Sequence, residues 1–500
     1  MILTLILLPM LAGAAAFFLQ RDSLRRGLLV LTAILHAVLV GFSWVDLPAP
    51  ALGGWLLLDA PGLLFLSITS VLFLAAALYA IGYLRRENWG SRQDFEEGFL
   101  FTNAREAVFT GCLLLFLSTM TLVSASRHFG LLWVGVEATT LASAPLIYFH
   151  RHRRSLEATW KYLLICSVGI ALALLGNFFL AVASTLGAES HVPMLLDALI
   201  AKAPTLHVPW LKAAFLFFLV GYGTKLGLAP MHTWLPDAHS EAPSLVSALL
   251  SGALLNCAFL AVLRIQQVCA AAGQGDFCRE LLLGFGFVSM AVAAVFILRQ
   301  TDFKRMLAYS SIEHMGILSL AIGLGGGATF GAMLHAVNHS LTKGMLFLVA
   351  GNILAVYKTK STEDVRGVLK VLPISGVLWV AGFLSITGSP PFGPFLSELI
   401  ILKSALDQGR FVVAGAYLLL LSIIFIGMAT IVLRMYQGRP GALPAGAGTG
   451  IDGRGNVHAT VESPLAFLPP MALGAAVLVL GVYFPPMLQS LLEHAARAIQ

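Results

Sequence analysis

The chain has 500 residues, 58% of them hydrophobic and 11% charged, with a formal net charge of +6 and a mean hydropathy of +0.86. Those values lie far outside soluble globular composition and inside that of polytopic membrane proteins, so a soluble enzyme is excluded. The positive charge reads as loop topology and contact with anionic lipid, with no nucleic-acid partner.

Apolar runs of about 20 residues, long enough to cross a hydrocarbon core about 30 Å thick, recur fourteen times. Their cores lie near 1–19, 27–45, 61–83, 106–125, 129–149, 159–186, 211–231, 243–263, 280–298, 306–325, 328–357, 372–406, 411–434 and 464–487. The first run has no basic flank ahead of it and is read as a retained helix, not a signal peptide. Of the 31 Lys and Arg, 21 fall in or at the edges of odd-numbered connections and seven in or at the edges of even-numbered ones and the C-terminus. Basic residues concentrate on the cytoplasmic side, so both termini are expected to face outward.

The fifth span, FGLLWVGVEATTLASAPLIYF, is uncharged except for Glu137 near its middle. A carboxylate at that depth needs a partner or a proton. The seventh span carries Lys225 and then breaks at Pro230 within LVGYGTKLGLAPMHTWLPDAHSEAP. A lysine near a bilayer centre costs about 2.5 to 3.5 kcal/mol on insertion scales and persists mainly where it lines a wet cavity or a proton path. Burial pushes a carboxylate pKa up and a lysine pKa down, whereas pairing opposes both shifts; a Glu137–Lys225 pair that can be made and broken is thus expected to act as a proton switch. His232, His239, Asp237 and Glu241 follow the break in a short connection and could serve as a proton inlet or as turn and cap residues.

TDFKRMLAYSSIEHMG, at 301–316, offers Lys304 and Arg305 as loop anchors, with Glu313 and His314 deeper as ancillary titrating groups. The eleventh span, GAMLHAVNHSLTKGMLFLVAGN, places His335, His339 and Lys343 at i, i+4 and i+8. They share one helix face at steps of about 6 Å, a spacing suited to water-bridged proton hops, and imidazole exchanges protons near neutral pH. The twelfth span breaks at Pro390, Pro391 and Pro394 just ahead of Glu398, the expected terminal proton acceptor. Paired Gly/Pro-interrupted helices in two halves of a chain mark an ion site at a repeat interface. Breaks in spans seven and twelve, five apart, therefore suggest two inverted five-helix repeats.

The chain divides accordingly into 1–105 (three helices and a cytoplasmic loop), 106–266 and 280–435 (the two repeats), and 436–500 (a Gly-rich cytoplasmic linker and the last helix). Cys112, Cys166 and Cys257 are isolated in helices, and no CxxC or Cys/His cluster marks a metal site. Cys269 and Cys278 share one outward connection, where a disulfide and two free thiols remain open alternatives. The GLGGG run near 323 reads as a tight turn.

The segments GVEATT, TKLGLAPMHTWLPDAHSEAPSLVSALLSG, TDFKRMLAYSSIEHMG, HAVNHSLTKGMLF and FGPFLSELIIL, in that order, resemble the antiporter-like membrane subunits of respiratory complex I and group 4 hydrogenases. The resemblance runs from about residue 60 to 435. LLSGALLNCAFL and SSIEHMGIL are most similar to the hydrogenase-4 branch of that superfamily, found in formate hydrogenlyase-type complexes. By that resemblance Glu137 is the fifth-helix glutamate, Lys225 the seventh-helix lysine, His335, His339 and Lys343 the eleventh-helix relay, and Glu398 the twelfth-helix charge. Asn256 stands where many complex I relatives have an eighth-helix lysine, so transfer beyond Lys225 is expected to use water, the histidines or Lys343.

The resemblance implies an all-α integral membrane subunit of a bacterial inner membrane that moves protons while partner subunits carry out electron transfer. No cofactor is expected in this chain; Ni-Fe and iron-sulfur clusters are expected in the peripheral redox arm of the assembly. Two other classes stay open: a Na+/H+ antiporter subunit, and an energy-coupling subunit of an inorganic carbon uptake complex. The first conflicts with a path of amines and imidazoles, since Na+ favours oxygen ligands.

Overall fold

A computed structural model describes the chain except residues 88–89, 95–96, 187–191, 439–459 and 500. The described residues form the helices α1 (Ile2–Phe18), α2 (Asp22–Val45), α3 (Ala60–Arg86), α4 (Glu106–Ala125), α5 (Phe129–Ile147), α6 (Arg153–Leu186) and α7 (Leu196–Ala201). There follow α8 (Val208–Leu226), α9 (Trp234–Glu241), α10 (Ser244–Leu249), α11 (Leu255–Ala271), α12 (Gly275–Ile297), α13 (Phe303–Leu324) and α14 (Gly327–Tyr357). The chain continues through α15 (Val368–Val371), α16 (Pro373–Ile386), α17 (Gly393–Asp407), α18 (Phe411–Tyr436), α19 (Pro464–Val482) and α20 (Pro486–Ile499).

Each of the fourteen apolar runs corresponds to one helix or to two in series. Among the described residues eleven helices, counting Ser244–Ala271 as one rod, are long and apolar enough to cross a membrane, and the shorter Ile2–Phe18 and Pro373–Ile386 are also apolar. The protein is a multi-pass, all-α membrane protein. The sequence sets several starts directly. Asp59 caps α3, accepting from the Gly62 N–H at 3.0 Å with Pro61 in the first turn, and Asp302 caps α13, accepting from the N–H groups of Lys304 (2.7 Å) and Arg305 (3.1 Å).

Burial separates centre from rim. The most apolar windows of Ser244–Ala271 and Phe303–Leu324 are wholly buried, whereas those of α2, α18 and α19 are only 33% buried, leaving broad apolar faces for lipid. At the α6–α8 contact a Cβ on Gly221 would sit 2.6 Å from both the Ala173 nitrogen and the Gly169 oxygen. Glycine there brings the two backbones together, the usual device where lipid offers no hydrophobic drive for helix association.

Connections of like parity meet each other. Among odd-numbered connections, Arg154 pairs with Asp94 at 2.8 Å, Lys360 with Glu241 at 2.7 Å, and Arg305 with Asp237 at 2.9 Å. Among even-numbered ones, Asp59 is bound by Arg127 at 2.6 Å and, through both carboxylate oxygens, by the buried Arg264. Arg127 also reaches Asp197.

Three features were not anticipated from sequence, and one alternative left open there is settled. A two-stranded antiparallel hairpin, β1 (Arg92–Gln93) with β2 (Leu100–Phe101), lies in the third connection. An amphipathic helix, α20, follows the last apolar run and docks on the bundle, where the Gln267 side chain donates to the Ala498 carbonyl at 2.6 Å. Residues 250–254 form a π-helical turn joining α10 to α11. Cys269 and Cys278 are both buried free thiols. The Gly-rich linker read at 438–456 lies, apart from Gly438, outside the described residues.

Candidate functional site

Lipid provides no hydrogen bonds, so each helix interruption must satisfy the backbone groups it frees. At the first break Gly227 adopts φ +83° as the α8 C-cap, with its N–H donating to the Thr224 carbonyl at 3.2 Å and that of Leu228 to the Gly223 carbonyl at 2.9 Å. The Trp234 indole also donates to the Thr224 carbonyl, at 2.8 Å, and the Ala229 N–H donates to Ser289 Oγ at 3.0 Å. At the second break Gly388 has φ +63°, and the Ser389 N–H donates to the Leu384 carbonyl at 2.9 Å. The peptide bonds Ala229–Pro230 and Pro390–Pro391, one at each break, are cis.

Lys225, on the last turn of α8, is fully buried. Its ammonium donates to Thr140 Oγ1 at 2.8 Å and to the Tyr162 hydroxyl at 2.5 Å, and it lies 4.4 Å from the Tyr162 ring centroid. The Tyr162 hydroxyl also meets Ser143 Oγ at 2.6 Å. The direct Glu137–Lys225 pair expected from sequence does not form. The link passes instead through Thr140, whose hydroxyl donates to Glu137 Oε2 at 3.3 Å. The reason is helical spacing: Thr140 lies three residues after Glu137 on α5, on the same face. Glu137 itself is only partly buried.

A separate set of polar contacts lies on the rod Ser244–Ala271. Its π turn shifts the helical register, and two residues there reach the second half of the chain. Ser251 Oγ lies 2.7 Å from Ser311 Oγ of α13, and Asn256 Nδ2 donates both to the Gly252 carbonyl at 2.9 Å and to Ser340 Oγ of α14 at 2.8 Å. Lys343, fully buried, donates to the Leu307 carbonyl at 2.7 Å. Thus Asn256 cannot carry charge, but it bridges the two halves.

The titratable groups of the eleventh span gain a neighbour from α13. His335, His339 and Lys343 are all fully buried on α14, but no hydrogen bond joins them to one another among the described residues. His314 of α13 stands between the two histidines instead: its ring centroid is 5.0 Å from that of His335 and 5.0 Å from that of His339. His314 Nδ1 meets His335 Nε2 at 2.9 Å, and His335 Nδ1 meets Ser397 Oγ at 2.9 Å. Ser397 precedes Glu398, so this chain of contacts ends beside the second break. Glu398 is 7% exposed and faces a cavity of about 490 Å³ between α16, α17 and α18, into which Ser389, Tyr417 and Ser422 also point.

The remaining candidates divide. His239 is fully buried and stacks on Phe347, one turn beyond Lys343, with ring centroids 5.2 Å apart. Glu313 is buried beside His314, its Oε2 being 3.9 Å from His314 Nε2. His232 lies in the turn after Pro230 with its ring 6.5 Å from that of Tyr309, and no hydrogen bond joins it to the other groups among the described residues. Glu241, with Lys360, Arg154, His152 and Lys304, lines a cavity of about 150 Å³ at the end formed by the odd-numbered connections. Lys304 closes it by donating to the Ser240 carbonyl at 3.0 Å and the Ala242 carbonyl at 2.5 Å.

Thr140, Tyr162, Ser397 and the linking position of His314 were not apparent from sequence. The available signals were adjacency: Thr140 one turn from Glu137, His314 beside Glu313, and Ser397 beside Glu398.

The family model for the transmembrane part of NADH:quinone oxidoreductases and Mrp antiporters matches residues 126–424, which include every group described above from Glu137 to Glu398. The hydrogenase-4 component F homolog of Methylacidiphilum infernorum is 34% identical over 452 residues, 89% of this chain and 88% of that one. NADH-quinone oxidoreductase subunit N of Desulforudis audaxviator is 29% identical over 376 residues, 73% of this chain and 72% of that one. A chain of the membrane-bound sulfane sulfur reductase, an archaeal respiratory membrane complex, superposes with a TM-score of 0.86 at 21% identity, covering 100% of this chain and 97% of that one. With the family pattern running through both interrupted helices and a relative aligned along most of its length, the chain belongs to the NADH:quinone oxidoreductase/Mrp antiporter transmembrane family.

Proposed function

We propose that this chain is a proton-translocating, antiporter-like membrane subunit that couples electron transfer in the partner subunits of a hydrogenase-4 or complex I-like assembly to proton movement. The observation that carries this reading is the set of buried ionisable groups on α8, α9, α13, α14 and α17: Lys225, His239, Lys343, His339, His314, His335 and Glu398. Ionisable side chains are costly within a bilayer and mark proton or ion paths.

In this reading protons enter from the cavity lined by Glu241 and Lys360. Lys225 holds a proton whose release is modulated by Glu137 through Thr140. Water joins Lys225 to the Asn256–Ser340 bridge and on to Lys343, and the imidazoles of His339, His314 and His335 pass the proton toward Glu398. The surroundings in this reading are a bacterial inner membrane with both termini outward, other membrane subunits alongside, and a peripheral arm holding Ni-Fe and iron-sulfur clusters. A Na+/H+ antiporter subunit belongs to the same family, but Na+ prefers oxygen cages and the groups here are mainly amines and imidazoles.

Two measurements test the reading. In the assembled complex, Lys225→Met should abolish proton movement coupled to electron transfer; unchanged movement would refute the role of Lys225. Purification through a C-terminal tag should recover a nickel-containing subunit with iron-sulfur proteins. Recovery of antiporter subunits alone with Na+-dependent transport, or of a soluble partner without metal clusters, would replace the hydrogenase assignment.

A further inference from the structure

The groups at the second break also form a constellation that proton transfer alone does not require. His314 from α13, His335 from α14 and Glu398 from α17 are all buried and each offers one donor atom, the three atoms lying within 4.8 Å of one another. His339, one turn from His335, presents a further imidazole 5.0 Å from His314 between ring centroids. Among the described residues Glu398 Oε1, His314 Nε2 and both nitrogens of His339 have no hydrogen-bond partner. Three helices therefore direct two to three imidazoles and a carboxylate at one point, the ligand set preferred by zinc-class ions.

The hydrogen bonds fix which atoms face that point. Ser397 Oγ donates its proton to the Pro394 carbonyl at 2.9 Å, so toward His335 Nδ1, also at 2.9 Å, it can only accept. His335 is thus protonated on Nδ1 and turns the Nε2 lone pair toward His314 and Glu398. A ligating histidine held by an outer hydrogen bond through its other nitrogen is the arrangement usual at metal sites. His314 donates from Nδ1 to His335 Nε2, and its Nε2 lies 3.9 Å from Glu313 Oε2.

We infer that His314, His335 and Glu398, with His339 as a fourth donor, bind a divalent transition-metal ion of the zinc class, and that the bound ion blocks proton transfer to Glu398. The ion takes the place of the proton shared by His314 Nδ1 and His335 Nε2. That proton moves to His314 Nε2, beside Glu313, and Glu398 ligates as the carboxylate. The N–H bond of that transfer breaks, a protonated Glu398 gives up its O–H proton to the cavity it faces, and no electron moves. The nitrogens, 2.9 Å apart when hydrogen-bonded, need separate only slightly for metal–nitrogen distances of about 2.0 to 2.1 Å. The block, unlike the binding, rests on the proton-translocating reading above.

The test is zinc binding to the purified full-length chain, carrying a tag without histidine, with zinc-edge X-ray absorption on the wild type. One Zn2+ per chain is expected, with at least two imidazoles and a carboxylate in its shell. His314→Gln and Glu398→Gln should each weaken binding at least tenfold, and His494→Gln on α20 should leave it unchanged. The absorption spectrum needs no variant, so misfolding of a mutant cannot obscure the answer. No bound zinc, a shell without two imidazoles, or zinc lost with His494→Gln but kept with His314→Gln would overturn the site. In vesicles holding the assembled complex, micromolar ZnCl2 should lower coupled proton movement at least tenfold, reversibly with EDTA. Binding without inhibition, in a complex whose proton movement is abolished by Lys225→Met, would overturn the block. If Lys225→Met has no effect either, the translocation reading fails and the metal site stands.

Discussion

Glu398 occupies the space that a side chain on Gly388 would fill. A Cβ added at Gly388 would overlap Oε2 of Glu398, and the backbone there has φ +63°. The second break thus positions its carboxylate by leaving room for it, with a glycine that also tolerates the left-handed turn.

Gly388→Ala should therefore act on both counts. The left-handed conformation alone costs a non-glycine residue about 1 to 2 kcal/mol, and the methyl group displaces Glu398 from His335 and Ser397. Reduced thermal stability in detergent and at least a tenfold fall in coupled proton movement are expected. Replacement of Gly409, which also has positive φ but has open space around its Cβ position, should cost stability alone. Equal proton movement in the Gly388→Ala variant and the wild type would show that the position of Glu398 does not matter.

Thr140 offers a cleaner separation, because it carries no charge. Its hydroxyl accepts from Lys225 and donates to Glu137. Thr140→Val keeps the shape and removes the link, so it should reduce coupled proton movement to the level of Glu137→Gln, whereas Thr140→Ser should restore it. Retained activity in the valine variant would mean that Glu137 acts on Lys225 through space or water, without the hydroxyl.

The contrast between Lys225 and Thr140 shows what the sequence could and could not reveal. A charge within an apolar run is visible against its neighbours, so Glu137, Lys225, Lys343 and Glu398 stood out, and the runs themselves located the helices. A threonine or serine in a membrane helix is ordinary, because its hydroxyl can bond to its own backbone. Its role at Thr140 or Ser397 comes from which helix packs opposite. His314 was visible as titratable, but its position between His335 and His339 depends on the packing of α13 against α14. The π turn at 250–254 has no periodic signature; α20 does carry an amphipathic period, with Leu492, Ala495, Ala496 and Ile499 on its buried face, but the surface it docks on depends on contacts with distant parts of the chain.

Arg264 and Asp59 should dominate stability at the end formed by the even-numbered connections. Arg264 is 1% exposed and binds Asp59 through both nitrogens of its fork. Burial alone would raise the Asp59 pKa, but Arg264, Arg127 and the Gly62 N–H hold the carboxyl below its ordinary value. Removing one member of a buried ion pair costs about 3 to 5 kcal/mol. Arg264→Met should fall toward the lower end because Arg127 still reaches Asp59. A double variant, Arg264→Met with Asp59→Asn, should recover part of the loss. Denaturant or thermal unfolding in mild detergent measures both, and an unaltered midpoint for the single variant would show that water solvates this cluster.

His150 predicts how stability responds to acid. It lies between α5 and α6, outside the membrane-spanning segments; its Nδ1 meets Asn103 Oδ1 at 2.9 Å and its Nε2 meets the Tyr83 hydroxyl at 3.1 Å. The Asn103 amide nitrogen donates to Glu87 at 2.9 Å, so Oδ1 faces the imidazole and His150 is neutral, protonated on Nδ1. Burial is the main cause that pushes its pKa down to about 3; Arg92, His152 and Lys304 push the same way and Glu241 opposes them. An unfolded histidine titrates near 6.5. Between that value and about 3 the unfolded chain therefore binds a proton that the folded chain refuses, and stability falls as pH decreases through this window. Above about pH 6.5 this group contributes no slope. Thermal midpoints in detergent should drop from pH 7 to pH 5, and His150→Gln should make that drop shallower by up to one proton's share while lowering the midpoint at pH 7. A wild-type and a glutamine variant with parallel profiles would show that His150 takes up its proton without loss of the fold.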